Sequence, residues 1–480
     1  MKKPIPFHPL LFLLFPLLTV YSANIKNIPV LIIIYYASVI VLLAAACFAV
    51  IYAVLKSKRE AALIVSFIFA LVFLYGTFSS VIMKANIGGF VFSRNIHRVP
   101  VYLLLFSIIG ILLFRARNHI SSLTKLLNFV SIILIIFPVV NISAHYLVSG
   151  KSTTNSQINN NNTVAKLRGD LPDIYYIIPD GYAGYDTLRE IYGYDNGEFI
   201  DYLRKKGFYV AIKSRSNYPR TEYSIPSSLG MNYHNEKKII ENAVMRTFEA
   251  KGYKYISLSD MMESGDTNFS LKDMFTNEFF IIIIRTTIID AVAQRFKLYS
   301  NYVRRNVLRS FEKLSKSVEL ESPKFVFAHI MSPHPPYVFG KNGEKTEVKM
   351  MALNVYKTPW DDNEGYKNQL IYINSRLKET VDTILSKSKK RPIIIIQGDH
   401  GPNLALNSES RIKASTRIMN AYYLPADIQK HLYSSITPVN SFRVILKYYF
   451  NDGNELLPDR VFYAPFESTK FEDVTETSRQ

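Results

Sequence analysis

The chain has 480 residues, more than one ordinary domain, with 57 basic and 39 acidic side chains and a formal net charge of +18. Residues 1–150 hold twelve Lys or Arg and one acid, Glu60, so most of the excess charge belongs to an apolar stretch, which excludes a nucleic-acid signature. The single cysteine, Cys47, excludes any intrachain disulfide framework.

Five apolar runs open the chain, at 9–22, 29–55, 61–82, 100–114 and 128–148. Most approach the ~20 residues a helix needs to cross a bilayer. The fourth is short, and extending it back to Ile96 would take in His97 and Arg98. The first has two readings. Lys2 and Lys3 precede it and Ser22–Ala23 offers a small-residue cleavage site, as in a signal peptide. A retained helix is the reading taken. With the amino terminus inside, the inner flanks hold Lys2, Lys3, Lys56, Lys58, Arg59, Arg115, Arg117 and Lys125, and the outer loops hold Lys26, Lys84, Arg94 and Arg98. Eight against four follows the positive-inside rule and puts everything after residue 148 outside the cytoplasm. No charged residue lies deep in any run, as a transport path would require. Residues 1–148 are therefore expected to be a transmembrane domain of about five helices, serving as an anchor and lipid platform. Residues 149–170 are polar and Asn-rich, cannot bury a core, and read as a linker.

In the remainder, 173–178 (DIYYII) is a buried-strand pattern ending in Pro179, Asp180 and Gly181. P-D-G alone is also common turn chemistry. Glu198 to Lys206 has a helical pattern, and residues 208–212 read as a strand. The stretch 214–233 is rich in hydroxyls, with a helix start expected around Thr221 to Ser227. Hydroxyls there serve either as caps or as a nucleophile beside the positive helix end, which favours an anionic group. Residues 254–259 suggest a strand. The region 279–316, beginning FFIIII, either packs on the core or lies on a bilayer, with core packing the reading taken. A third buried strand, KFVFAHI, follows Pro323. His329 lies within it and reads as a packed histidine, whereas His334 stands beyond it between prolines. Residues 364–388 form an amphipathic helix, with Tyr366, Leu370, Ile373, Leu377 and Val381 at helical spacing. It leads into Ile393–Ile396, an unbroken β-branched run ending in Gln397, Gly398, Asp399, His400 and Gly401. Residues 436–450 read as a closing helix, and 471–480 as a loose tail. Strands alternating with helices over 171–470 indicate an α/β domain with a mainly parallel sheet flanked by helices.

Three strand ends thus carry Asp180, His334 and Asp399–His400, and a fourth loop carries Thr221. Strand ends are where open α/β sheets place ligands. Carboxylate oxygens and an imidazole nitrogen suit one divalent metal, zinc or manganese, with Asp180, Thr221, Asp399 and His400 as ligands. A metal on the threonine oxygen lowers the cost of forming an alkoxide, overcoming the weakness of a free hydroxyl nucleophile. His334 is then placed to bind an anionic substrate or protonate a leaving group.

Thr221-Glu222-Tyr223-Ser224-Ile225-Pro226 resembles the T-x-x-S-x-P pattern around the nucleophile of the membrane-anchored branch of the alkaline phosphatase and sulfatase superfamily, which includes phosphoethanolamine transferases and lipoteichoic acid synthases. Asp399-His400-Gly401 resembles that family's metal-binding D-H-G, Asp180 its first metal ligand, and His334 its substrate-side histidine. The resemblance covers the anchor, the linker and most of residues 171–425. It implies an alkaline phosphatase/sulfatase-type catalytic domain. Residues 402–425 hold no histidine where several transferases carry one, so a second metal is not implied. The disulfides of the periplasmic phosphoethanolamine transferases are absent as well. Formylglycine chemistry needs [CS]-x-P-x-R; Ser224-Ile225-Pro226-Ser227-Ser228 lacks the arginine, and Cys47 lies in an apolar run.

The expected function is a metal-dependent transfer of a phospho-alcohol group from a phospholipid through a phospho-threonine, to a hydroxyl of an envelope glycan or lipid. The expected location is the plasma (inner) membrane, multi-pass, with the catalytic domain extracytoplasmic. The rivals are a sulfatase-like phosphoric or sulfuric ester hydrolase, and a catalytically silent lipid-binding regulator on the same scaffold.

Overall fold

The computed structural model describes residues 4–23, 25, 30–83, 86–87, 90–92, 95–149, 171–233, 242–258, 278–295, 298–346, 359–404, 406–465, 468 and 470–479. The linker expected at 149–170 lies outside the described residues except for Ser149. The chain forms two compact units: Met1–Ile158 with Met261–Tyr299, and Asn159–Asp260 with Ser300–Gln480.

The first unit is helical. It contains α1 (His8–Ala23), α2 (Val30–Leu55), α3 (Lys58–Phe73), α4 (Tyr75–Ile82), α5 (Asn95–Arg115) and α6 (Ile120–Ser149). Leu17, Tyr21, Ile32, Ile33 and Tyr36 pack with Phe279 and Ile283 of a later helix, Glu278–Thr286. The amino-terminal part of the 279–316 region therefore buries Phe279 and Ile283 among these apolar helices, not in the sheet core as expected. Asn128 pins α1 to α6 by accepting from the backbone N–H groups of Phe7 and His8 at 3.2 and 3.0 Å. By length and apolar composition two helical stretches could cross a membrane, α2 and a 53-residue stretch from Asn95 to Leu147; α3 and α4, bent by 43°, make a third if they form one span. Among the described residues two or three stretches thus meet the length for a span, and His8–Ala23 is a shorter apolar helix. The polar break at 115–119 does not end the helix, because a 3-10 turn at Ala116–His119 carries it through.

The second unit is built on a six-stranded sheet. Its strands are β1 (Ile174–Pro179), β2 (Tyr209–Val210), β3 (Lys254–Ser257), β4 (Lys324–Ile330), β5 (Ile393–Gln397) and β6 (Asn420–Tyr423), in the order β2-β6-β5-β1-β4-β3. β5, β1, β4 and β3 run parallel, and β6 and then β2 close one edge antiparallel. Helices cover the sheet, among them α7 (Thr221–Gly230) and α8 (Asn363–Lys387). The central strands are apolar on both faces because both faces are covered. The side chains of Ile393–Ile396 are all at most 1% exposed, each burial contributing about 1.5–3 kcal/mol. β6 was not foreseen: four residues, NAYY, are too short to show a periodicity, and pairing with β5 is what makes them a strand.

The tail is not loose. Glu472–Asp473 pairs antiparallel with Phe462–Tyr463, the short helix Thr475–Arg479 follows, and Ser478 is fully buried. The usual looseness of a terminal segment is outweighed by Phe471, whose ring packs on Tyr218 and Tyr223.

Candidate functional site

β5, β1 and β4 are adjacent and parallel, so their carboxyl ends open on one edge of the sheet, where ligands collect in open α/β folds. Alternation along each strand decides which side chains meet there. Ile174, Tyr176 and Ile178 on β1, Phe325 and Phe327 on β4, and Ile393 and Ile395 on β5 all share one hydrophobic cluster. Two residues further along each series stand Asp180, His329 and, past Gln397, Asp399. One ligand atom from each of these three lies within 4.8 Å of the other two.

Asp180 and Asp399 are almost fully buried, at 3% and 1% exposure. His329 Nε2 lies 3.3 Å from Asp180 Oδ2, and His400 Nε2 lies 3.6 Å from a carboxylate oxygen of both Asp180 and Asp399. Burial pushes the Asp180 carboxyl up, but the facing His334, His329 and His400 outweigh it and hold the group well below the ordinary carboxylate range. Burial likewise pushes His400 down. Asp399, Asp180, the Gly401 carbonyl and Glu222 push it up by more, so it stands above its ordinary value.

The glycines set the backbone around these groups. Gly181, at φ +69°, donates its N–H to Asp399 Oδ1 at 2.9 Å, and a Cβ there would lie 2.4 Å from the Trp360 ring. A Cβ on Gly401 would lie 2.0 Å from the Ala414 carbonyl oxygen. His400 Nδ1 is 2.7 Å from the Gly401 carbonyl, which can only accept, so Nδ1 carries the proton and Nε2 is the nitrogen that meets the carboxylates.

Thr221 is the first residue of α7, whose amino terminus has no side-chain cap. Its half-buried hydroxyl donates to Asp399 Oδ2 at 2.6 Å and lies 3.1 Å from His400 Nε2. One turn on, Ser224 Oγ donates to the Asp399 backbone carbonyl, tying the helix to the loop that carries the carboxylate. The helix end adds the uncapped N–H groups that favour an anion.

His334 lies at the rim. Its backbone N–H donates to the Asp180 carbonyl at 3.0 Å, and its ring centroid is 6.4 Å from that of His400 and 4.8 Å from that of Trp360. Its Nδ1 is 2.6 Å from the Pro335 carbonyl, leaving Nε2 for a substrate. Asp180, Thr221, Asp399 and His400 are therefore brought together, with His334 beside them and not bonded to Thr221. His329, read from the sequence as a packing residue, belongs with them. The signal that finds it is its parity with Phe325 and Phe327.

The cradle fits a cation on its own terms. Asp180 Oδ1 is buried and accepts no hydrogen bond, with His400 Nε2 3.6 Å away, a costly state for a carboxylate oxygen. Two carboxylates, imidazole nitrogens and a hydroxyl suit a divalent ion.

No family model matches the chain, and no curated protein matches it. Among solved structures it is similar to the C-terminal periplasmic domain of the phosphoethanolamine transferase EptC from Campylobacter jejuni, at 13% identity and a TM-score of 0.40, over 60% of this chain and 91% of that one. It is similar to the corresponding EptC domain of Escherichia coli in complex with Zn, at 13% identity and a TM-score of 0.43, over 65% of this chain and 97% of that one. It is also similar to BT1596, a 2-O GAG sulfatase, at 10% identity and a TM-score of 0.41, over 61% and 77%. At these scores the similarity bears no argument about activity, and the chemistry rests on the cradle itself.

Proposed function

We propose that the protein is a membrane-anchored, metal-dependent transferase that moves a phospho-alcohol group from a phospholipid to a hydroxyl acceptor on an envelope glycan or lipid, with Thr221 as nucleophile. The observation that carries this reading is the 2.6 Å bond from the Thr221 hydroxyl to Asp399 Oδ2 beside His400, at an uncapped helix end. The apolar helix α2 and the apolar stretch Asn95–Leu147 support a membrane anchor.

Asp180, Thr221, Asp399 and His400 would hold one divalent ion, zinc or manganese, which supplies the positive charge that eases formation of a threonine alkoxide. Thr221 passes its proton along the short bond to Asp399 Oδ2 while Oγ1 attacks the phosphorus. The bond from phosphorus to the leaving alcohol breaks, and that oxygen takes a proton from His334 Nε2. Uncapped amides at the start of α7 hold the anionic phosphoryl oxygens. The acceptor hydroxyl then attacks the phospho-threonine, giving its proton to His334, and Thr221 recovers its own from Asp399.

The test is the intact mass of the full chain after incubation with membrane phospholipids. A mass increment on Thr221 that names the donated group is expected, and it is absent from Thr221→Ala. Turnover in Thr221→Ala equal to that of the unaltered chain would remove the mechanism. A labelled donor assayed with and without a hydroxyl acceptor separates transfer from hydrolysis.

A further inference from the structure

The segment that carries Thr221 has little regular structure of its own. Residues 214–220 run from one isolated bridge, Arg215 with Arg417, to the first turn of α7. What holds this segment is, to a large extent, the carboxyl-terminal end of the chain. Asn217, fully buried four residues before Thr221, accepts on its backbone carbonyl from the Phe462 N–H at 2.9 Å, and its Nδ2 donates to the Arg460 carbonyl at 2.8 Å. Tyr218, also fully buried, stacks on Phe462 with ring centroids 5.3 Å apart and meets Phe471 edge-on at 5.1 Å. Arg220, the residue before Thr221, donates from Nη2 to the Ser468 carbonyl at 2.9 Å and lays its guanidinium over Phe471 and Tyr223 at 5.3 and 4.9 Å. Tyr223, two residues after Thr221, meets Phe471 at 4.6 Å.

The tail is in turn fastened at its far end. Arg215 Nε donates to the Ser478 carbonyl at 2.6 Å, and Val461 and Thr475 bond across the short β-pair. The cation cradle has a different origin. Asp180, His329, Asp399 and His400 come from the central strands, and none of their described contacts is with residues 460–479. The reacting hydroxyl and the cradle thus have separate supports, joined by the Thr221 and Ser224 bonds to Asp399.

We propose that the carboxyl-terminal segment is a positioning strap for the nucleophile. Phe471 is its central contact, wedged against both aromatic residues that flank Thr221, so that transfer depends on the strap while cation binding does not. This rests on the transferase reading above. Aromatic pairs of this geometry contribute about 0.5–1.5 kcal/mol each beyond their burial. More important is placement: a shift of about 1 Å at a reacting atom can lower the rate by roughly a hundredfold.

The experiment compares the full chain with Phe471→Ala and Phe471→Tyr, using a chromogenic nitrophenyl phosphodiester as donor. The readouts are bound metal per chain, kcat and KM. Phe471→Ala is expected to bind metal at the stoichiometry of the unaltered chain and to lose roughly a hundredfold in kcat, with KM little changed. Phe471→Tyr keeps the ring and is expected to restore kcat. Because Phe471→Ala could simply unfold, Arg215→Met provides a second perturbation, releasing the far end of the strap and leaving the aromatic contacts in place. It is expected to lower kcat in the same direction without loss of metal. Unchanged kcat in Phe471→Ala, or parallel loss of metal and kcat in both variants, overturns the strap. Absence of turnover in the unaltered chain overturns the transferase reading instead, so the two failures are distinguishable.

Discussion

His329 gives the sharpest test of the cradle. Its Nε2 is 3.3 Å from Asp180 Oδ2, with the two side chains 2% and 4% exposed, and the other Asp180 oxygen already accepts no hydrogen bond. Changing His329 to Asn shortens the side chain and removes the imidazole that faces the buried Asp180 Oδ2. A hydrogen bond to a charged group contributes about 1.5–3 kcal/mol, and removing one partner of a buried ion pair costs about 3–5 kcal/mol. Solvent screening offers no relief at this depth, so a loss of about 3 kcal/mol is expected in the metal-free protein. At roughly 2–4 °C per kcal/mol for a domain of 150–250 residues, the melting temperature falls by about 6–12 °C. The assay is built in: Trp360 is the only tryptophan, and its ring is 6.1 Å from that of His400, so its fluorescence reports this site. The control is the double-mutant cycle. With Asp180→Asn in place no charge is left to strand, and His329→Asn should then cost about 1 kcal/mol or less. An equal loss in both backgrounds, or none in either, refutes the reasoning.

Acid sensitivity follows from the same carboxyl. Asp180 has its folded pKa held below the ordinary 3.8, so it contributes stability that is fully present above that value and is lost as pH falls through the native one. Metal-free protein should therefore lose stability below about pH 4, and Asp180→Asn should flatten that limb of a pH series of melting curves. Gly401→Ala drives a methyl into the Ala414 carbonyl, 2.0 Å from the ideal Cβ position; the expected destabilisation is about 1–3 kcal/mol, with His400 displaced and metal content lowered, read by denaturant melting and metal analysis. Chelation should abolish turnover, and added zinc or manganese should restore it, with apparent affinity falling at acid pH because His400 must give up its proton to bind.

The sequence makes the skeleton of the second unit legible and leaves other parts hidden for identifiable reasons. DIYYII, KFVFAHI and PIIIIQ are recognisable because strands buried on both faces need unbroken apolar runs, and those three are neighbours in the sheet. Asp180, Asp399 and His400 are legible as polar residues just beyond such runs. Thr221 was found from hydroxyl density and a helix start, but nothing local reveals its 2.6 Å bond across 178 residues of chain. The helix Glu278–Thr286 was misplaced because FFIIII fits a sheet core and an apolar helical bundle equally well; hydrophobicity is non-directional. The tail was misjudged because its stabilisation comes from Tyr218 and Tyr223, far away in sequence.

His329 is the instructive failure, because the information was present. Two criteria compete when a polar residue ends an apolar strand. One asks whether it lies inside the run, which marks His329 as core. The other asks which face it occupies, and period-two counting puts it in series with Phe325 and Phe327, on the face that at neighbouring strands leads to Asp180 and Asp399. The second criterion is the stronger at a strand terminus. The last residue or two of a central parallel strand lie at the sheet edge, where the covering layer thins and a polar side chain finds partners from adjacent strands. A histidine at that depth would otherwise bury an imidazole without compensation. Counting parity through the end of each run, and asking whether polar residues of neighbouring runs fall on the same face, joins His329 to both carboxylates from the sequence alone.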